Sequence, residues 1–456
     1  MNENQQIKSS ASSFSVPPSS FVPRRVVLST FGSFGDVHPY VALALELKAR
    51  GHLPVIATSE IYREKIVSLG LEFHPVRPVV PSYDEPEKVS RMIEKLMDAR
   101  TGTEEVFNTL IVPHLRDTYE DLCEAVGGAD LFVTHPLTVT GPLIVERAGI
   151  AWVSSVLAPA SMLSIYDPPV PPQLPALYGL MKLHPFFSSA VMQLGRWKSA
   201  SLLKAVNELR ASLGLKPSTA HPLFEGQHSP SLVLALFSRV LAEPQPDWPP
   251  QTRITGFPFY DRRDLPGDDD EAGGLSPELA GFLDAGEPPI VFTLGSSAIW
   301  VAKDFYRESI AAARALGRRA LLLIGHERNR LPEPLPAGVA AFEYAPYGEV
   351  LPRASVVVHQ GGVGTTGQTL RSGRPALVVP FSHDQFDNGA RVERLGCGRT
   401  LARSRYNAAS ATRELRAILG DENYKIRAAE TGRRVQAEDG AVAACDAIEE
   451  VLRERG

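Results

Sequence analysis

The sequence predicts an α/β protein of two facing domains, each a parallel sheet covered by helices. Three observations carry this. Short β-branched runs alternate with helical periodicity along the chain, the pattern of strands joined by crossover helices. Each half opens on a strand that runs into a glycine turn, Val26–Ser29 into Thr30–Asp36 and Ile290–Leu294 into Gly295-Ser296-Ser297. The length, 456 residues, suits two cores of ordinary size.

In chain order, residues 1–23 are Ser-, Asn-, Gln- and Pro-rich without an apolar core. That predicts a disordered tail rather than a signal peptide. The first domain spans 24–243. Its opening strand and turn lead to a helix from about Pro39 to Arg50, with Pro39 suited to a helix start and Gly51 to its end. Strands follow at Val55–Ala57 and Leu71–Val76, then mostly helix from Arg91 to Val126. Strand Asp130–Thr134 runs into His135-Pro136, helix Thr140–Ala148 into strand Trp152–Val156.

From Leu157 to Leu183 the chain is apolar and punctuated by prolines. Such a segment is seldom a plain linker. It predicts either the lining of an apolar pocket or a membrane contact. The helical stretch Leu177–Trp197 reads as pocket wall, core or weak membrane contact. Ser231–Phe237 is a strand. The stiff stretch Pro244–Pro250 begins an interdomain linker over 244–274, which ends in the acidic, glycine-rich and mobile loop Gly267–Gly274.

The second domain, 275–456, restarts the alternation. Strands are expected at Ile290–Leu294, Ala320–Ile324 and Phe342–Tyr344, with a helix over Asp304–Leu316. Helices at Ala408–Leu419, Tyr424–Ala437 and Ala441–Arg453 close the chain, the last packing back on the first domain. The most informative stretch is Ser355–Asn388. Strand Val356–Val358 enters His359-Gln360-Gly361-Gly362-Val363-Gly364-Thr365-Thr366, a helix runs to Gly373, and strand Ala376–Val379 ends at Pro380. The glycines admit close backbone approach, and the free N–H groups at the helix start suit a diphosphate. Asp384 and Gln385 follow the second strand, at a strand's carboxyl end where open α/β sheets bind ligands, and can exchange hydrogen bonds with sugar hydroxyls.

Composition limits the alternatives. With 44% hydrophobic and 22% charged residues the chain has a soluble globular composition. A net charge of −5 argues against nucleic acid as a partner. Cys123, Cys397 and Cys445 are far apart, match no zinc or redox spacing and suit a reducing cytoplasm. No apolar run approaches the roughly 20 residues of a membrane span. The expectation is a cytoplasmic protein, monomer or dimer, with at most a peripheral contact at the inner membrane face. A dehydrogenase is disfavoured because Gly32-x-x-Gly35 lacks the dinucleotide spacing.

The stretch Tyr344–Gly398 resembles the donor signature of nucleotide-sugar-dependent glycosyltransferases related to UDP-glycosyltransferases and sterol glucosyltransferases. Gly32-Ser33-Phe34-Gly35-Asp36-Val37-His38-Pro39 is similar to the turn of their bacterial and sterol branch. His228-Ser229-Pro230, Thr255-Gly256-Phe257-Pro258 and His383–Asn388 narrow the likeness to the rhamnosyltransferase B chains of rhamnolipid synthesis. The resemblance runs from about Arg25 to the C-terminus. It implies a GT-B fold of two facing Rossmann-like domains, acceptor first and donor second. It also implies inverting transfer of a hexose from UDP-glucose or dTDP-rhamnose to a hydroxyl of an apolar lipid, terpenoid, polyketide or flavonoid, with no metal and no cofactor.

On that resemblance Asp36 is the candidate base, the alternative being a helix cap. His135 stands where relatives carry the base's orienting partner, so the pair would be reversed here. An ordinary strand-end histidine is the other reading. Donor-binding candidates are Gly35, Ser296, Gly361, Gly362, Gly364, Thr365 and Thr366 for the diphosphate, and Asp384 and Gln385 for the sugar. Asn388 reaches sugar or phosphate, or caps a helix. Tyr344 stacks a base or fills core, and Ala345 backbone pairs with a pyrimidine edge. Gln360 and Gln368 replace the histidine and the ribose-binding glutamate usual in relatives, and His359 either substitutes for the histidine or fills the strand end. Acceptor candidates are Phe34, Met162, Tyr166 and Leu177. The competing functions are a GT-B sugar-nucleotide epimerase and a non-catalytic sugar-nucleotide-binding auxiliary protein.

Overall fold

The computed structural model describes residues 22–261 and 274–454. The expected tail and the loop Gly267–Gly274 lie largely outside the described residues. Two parallel sheets form the frame. The first contains β1 (Arg25–Ser29), β2 (Leu53–Thr58), β3 (Glu72–Pro75), β4 (Leu131–Thr134), β5 (Ala151–Val156), β6 (Val233–Ala235) and β7 (Thr252–Ile254), in the order β3-β2-β1-β4-β5-β6-β7. The second contains β8 (Ile290–Thr293), β9 (Ala320–Leu323), β10 (Val339–Phe342), β11 (Val356–His359), β12 (Ala376–Val378) and β13 (Gly398–Thr400), in the order β10-β9-β8-β11-β12-β13.

The central strands of both sheets are buried on both faces. In β1, Val26 and Leu28 point into one core and Val27 into another. In β8, Ile290 and Phe292 face one core and Val291 the other. This two-residue period with apolar residues on either side is what a sheet sandwiched by helices requires. A further cluster joins the two units, with Phe237, Trp248 and Phe257 packing near Leu370, Val378 and Val392. The closing helix, Gly440–Glu454, leaves the second unit and places Cys445, Ile448 and Leu452 in the core against the first helix.

Three expectations change. The first helix runs Phe34–Ala49, so it begins before Pro39, because Ser33 and Asp36 build a capping box upstream. The stretch Pro244–Pro250 is not the domain junction. It leads into β7, which extends the first sheet from β6. The strand expected at Phe342–Tyr344 ends at Phe342, leaving Tyr344 in the following loop.

Candidate active site

Each sheet reverses its winding between two adjacent strands, β1 and β4 in the first and β8 and β11 in the second. Crevices at such points bind ligands. Asp36 and His135 follow β1 and β4. Ser296 and Gln360 follow β8 and β11.

Asp36 sits in the first turn of helix Phe34–Ala49, beside Gly35. Its Oδ2 accepts from the Ser33 N–H at 2.8 Å and from Ser33 Oγ at 3.3 Å. Gly32 has φ +135°, and a Cβ there would lie 2.2 Å from Asp36 Oδ2, so glycine is what lets the carboxylate fold back. Asp36 Oδ1 faces His135 Nε2 at 3.6 Å. Capping and facing His135 are therefore held by one side chain, one oxygen each. The Asp36 side chain keeps 34% exposure, whereas His135 keeps 5%. The Leu137 N–H donates to His135 Nδ1 at 3.1 Å. In the neutral ring the proton then resides on Nε2, the atom turned to Asp36.

In the second unit, β11 enters a turn ordered by His359. The Gly361 N–H donates to His359 Nδ1 at 3.0 Å, and complete burial lowers the histidine's pKa to about 3. His359 is neutral and adds no charge to a phosphate, so it does not replace the missing histidine in that respect. Gln360 is buried, with its amide nitrogen beside Gly295 and Gly362. A Cβ at Gly295 would lie 2.0 Å from it. Gly361 has φ +91°, and a Cβ there would meet Val378 Cγ1 at 2.7 Å and the Gln385 carbonyl oxygen at 2.9 Å. Helix Val363–Ser372 starts at Gly362 with no side-chain cap. Its first N–H groups point out of the helix end, as at any helix start. Open space lies beside Gly364, Thr365 is nearly buried, and the buried Thr366 hydroxyl has no protein partner.

The loop after β12 brings the remaining donor candidates to the same turn. Asn388 Nδ2 donates to the Gly361 carbonyl oxygen and to Asp384 Oδ2, both at 2.8 Å, while its buried Oδ1 has no protein partner. Asn388 therefore ties the glycine turn to Asp384 instead of capping. Burial pushes the Asp384 carboxyl up to about 7; the Asn388 bond opposes this, and the charges of Asp36 and Asp387 reinforce it. The charge of Asp36 also acts on His383, whose pKa is lowered chiefly by burial. The two units thus turn their polar groups toward each other. Gln385 Oε1 accepts from the Phe381 and Ser382 N–H groups at 2.8 and 3.2 Å. Its oxygen is engaged within the loop, so only its amide nitrogen is left for a sugar.

Ser296 lies half-buried in the turn after β8. Tyr344 and the buried Ala345 follow β10. Gln368 donates to Asp261, as does Arg371, and its Oε1 is buried without a protein partner. The acceptor candidates separate. Phe34 stacks on Tyr83 at 5.8 Å, and Tyr83 on Trp300 of the second unit at 6.1 Å. Met162 is core, 6% exposed among Phe237, Val240 and Trp248. Tyr166 is exposed and Leu177 half-buried at the start of a short helix.

Sequence reading missed Asp261, Tyr83 and Trp300, which approach the site from distant positions. It also missed the buried Arg391, which pairs with Asp387 and Asp167 at 2.6 Å each. The i,i+4 spacing of Asp387 and Arg391 was the one local signal for that pair.

Residues 26–138 match the glycosyltransferase family 28 N-terminal domain, and residues 309–447 match the erythromycin biosynthesis protein CIII-like C-terminal domain. The O-mycaminosyltylonolide 6-deoxyallosyltransferase of Streptomyces fradiae is 32% identical over 437 residues, 93% of this chain and 97% of that protein. The sterol 3-beta-glucosyltransferase of Emericella nidulans is 27% identical over 447 residues, 93% of this chain and 30% of that longer protein. Among solved structures, a spinosyn rhamnosyltransferase complexed with thymidine diphosphate has a TM-score of 0.62 at 15% identity, covering 93% of this chain and 100% of that one. That likeness is one of fold.

Proposed function

Because this chain belongs to the nucleotide-sugar-dependent glycosyltransferases of the GT-B type, we propose that it is an inverting, metal-independent hexosyltransferase. It moves a hexose from a uridine or thymidine diphosphate to a hydroxyl of an apolar acceptor. The observation that carries this reading is the division of labour at Asp36. Oδ2 is held by the capping box while Oδ1 looks into the crevice beside His135 Nε2. A carboxylate fixed in this way can take the acceptor hydroxyl's proton as that oxygen attacks C1 from the face opposite the leaving group. His135 acts as a positioning residue. Its Nε2–H faces Oδ1 at 3.6 Å and orients the carboxylate before the proton arrives.

The departing diphosphate is received by the turn Gly361–Thr366 and the start of helix Val363–Ser372. Unpaired N–H groups and the positive end of the helix dipole meet its charge there. Asp384, Asn388 and the Gln385 amide nitrogen hold the sugar hydroxyls. The apolar acceptor is supported by the relatives' names, a macrolide-type and a sterol transferase. Support for thymidine diphosphate comes from the ligand of the rhamnosyltransferase.

The test is a matrix of donors (UDP-glucose, dTDP-rhamnose, dTDP-glucose) against sterol, hydroxyacyl lipid and macrolide acceptors, read by product mass with and without chelator. A conjugate of acceptor plus hexose mass, formed equally with and without chelator and carrying by NMR the anomeric configuration opposite to the donor's, is expected. Nucleotide release with an altered free sugar and no acceptor adduct would instead indicate an epimerase.

A further inference from the structure

The described residues expose large apolar side chains in one concentrated place. Leu174, Leu180, Leu183, Phe186, Leu194 and Trp197 are each between 41% and 74% exposed. Elsewhere such residues are spread singly along the chain, as at Leu53, Val67 and Ile426. Scattered exposed apolar residues are ordinary, whereas a concentration of them marks an interaction surface.

Helix Pro185–Lys198 shows how this surface is built. Ser188 is its one buried residue. Phe186, Ala190, Leu194 and Trp197 follow one another at intervals of four, four and three residues, so they form a single stripe. All four are exposed. A helix that only covered its own core would turn that stripe inward. Leu183 lies in the turn just before it, and Leu180 in the short helix Leu177–Met181.

Within the stretch that carries the stripe, the charge has one sign. From Pro168 to Asn207 the chain contains no Asp or Glu, while it carries Lys182, Arg196, Lys198 and Lys204. The whole protein has a net charge of −5, so this stretch runs against the rest. Arg196 is joined to Glu225 and Lys204 faces Glu208 at 3.8 Å, while Lys182 lies over the Tyr178 ring at 5.2 Å. Lys182 and Lys198 flank Leu183 and Trp197 in sequence, and both are exposed. Protein–protein interface centres are depleted in lysine. Trp, Phe and Leu bordered by lysines, whose stems lie along apolar surface with the ammonium in water, suit the headgroup region of a bilayer.

We propose that this face, centred on helix Pro185–Lys198, docks the protein onto an anionic lipid surface. The apolar stripe enters the headgroup boundary, and the exposed Lys182 and Lys198 supply the attraction to anionic lipid. The docking stands on surface geometry and charge and does not depend on the reaction proposed above.

Flotation of the full chain with vesicles decides it. Phosphatidylcholine vesicles and vesicles of phosphatidylcholine with phosphatidylglycerol are compared at low and high salt. The wild type should float with the anionic vesicles and less with the neutral ones, and high salt should weaken the difference. Phe186→Ser with Trp197→Ser should lower partitioning by about tenfold. Lys182→Glu with Lys198→Glu should abolish the preference for anionic vesicles. Leu183→Ser alone gives a milder variant should the double substitution unfold, and thermal melting shows which variants are folded. Absence of wild-type flotation, or variants that float like the wild type, overturns the proposal. So does a dimer in size-exclusion chromatography that the apolar substitutions convert to monomer, which would assign the face to a second copy.

Discussion

The two switch points use the same topology for opposite electrostatics. After β1 and β4 the protein presents an exposed carboxylate with a histidine N–H beside it. After β8 and β11 it presents a buried amide, a histidine held neutral, and glycine backbone. The difference fits the work proposed for each side. A base must reach the acceptor hydroxyl's proton and keep a usable charge. A diphosphate brings its own charge, and a set of N–H groups at a helix start receives it without any side-chain cation. In the proposed reaction one fold thus supplies a proton acceptor on one wall and a dipolar anion cradle on the other.

Substitutions that exchange the character of the two walls break this contrast. The largest effect is expected at Asp36. Asp36→Asn keeps a cap but loses the base, so kcat should fall by about 10²–10⁴ while donor affinity, measured by calorimetry, changes little. Next is Gly361→Ala on the cradle side. With φ +91° and two contacts under 3 Å, the methyl forces the turn away from Val378 and Gln385. A loss of about 1–3 kcal/mol of stability in denaturant titration, together with weakened nucleotide binding, is expected. His135→Ala should cost about tenfold in kcat and shift the pH–rate profile, with donor KM unchanged, as befits a residue that acts through Asp36.

The smallest and most discriminating effect concerns Asp384, which senses the opposite wall. Folding raises its carboxyl from the ordinary value of 3.8 to about 7, so the folded protein holds this proton more tightly than the unfolded chain. The associated stability is fully present below the ordinary carboxylate range and is lost as pH rises through about 7. The stability of Asp384→Asn should therefore gain on that of the wild type across that window in thermal melts. Asp36→Asn should lower the Asp384 pKa, because one of the charges that raises it is gone. An unmoved Asp384 titration in carboxyl-labelled NMR would show that the two walls do not sense each other.

Much of this was readable from residue order. The paired strand-and-glycine openings and the glycine run of residues 361–364 are local signals, because a turn's backbone demands are written in its own residues. The start of the first helix was missed since Pro39 is a conspicuous marker, whereas the Ser33–Asp36 capping box is a reciprocal pair of hydrogen bonds. Met162 illustrates another limit. Its apolar neighbours indicated burial, but whether a buried methionine lines a pocket or fills a core depends on Phe237 and Trp248, far along the chain. Asp261 reaching Gln368, and Tyr83 stacking on Trp300, depend on long-range placement that no periodicity encodes.

The closing helix gives the chain an order of assembly. Gly440–Glu454 completes the face of the first helix, with Arg50 bonded to Asp446 at 2.7 Å and Cys445 Sγ 3.6 Å from the Leu43 carbonyl oxygen. In connectivity, the second unit is an insert within the first. The first unit's core stays open until residues 440–454, which follow the whole second unit, have emerged. A truncation ahead of Gly440 leaves the inserted unit's sheet whole and strips the cover from the helix that carries Asp36.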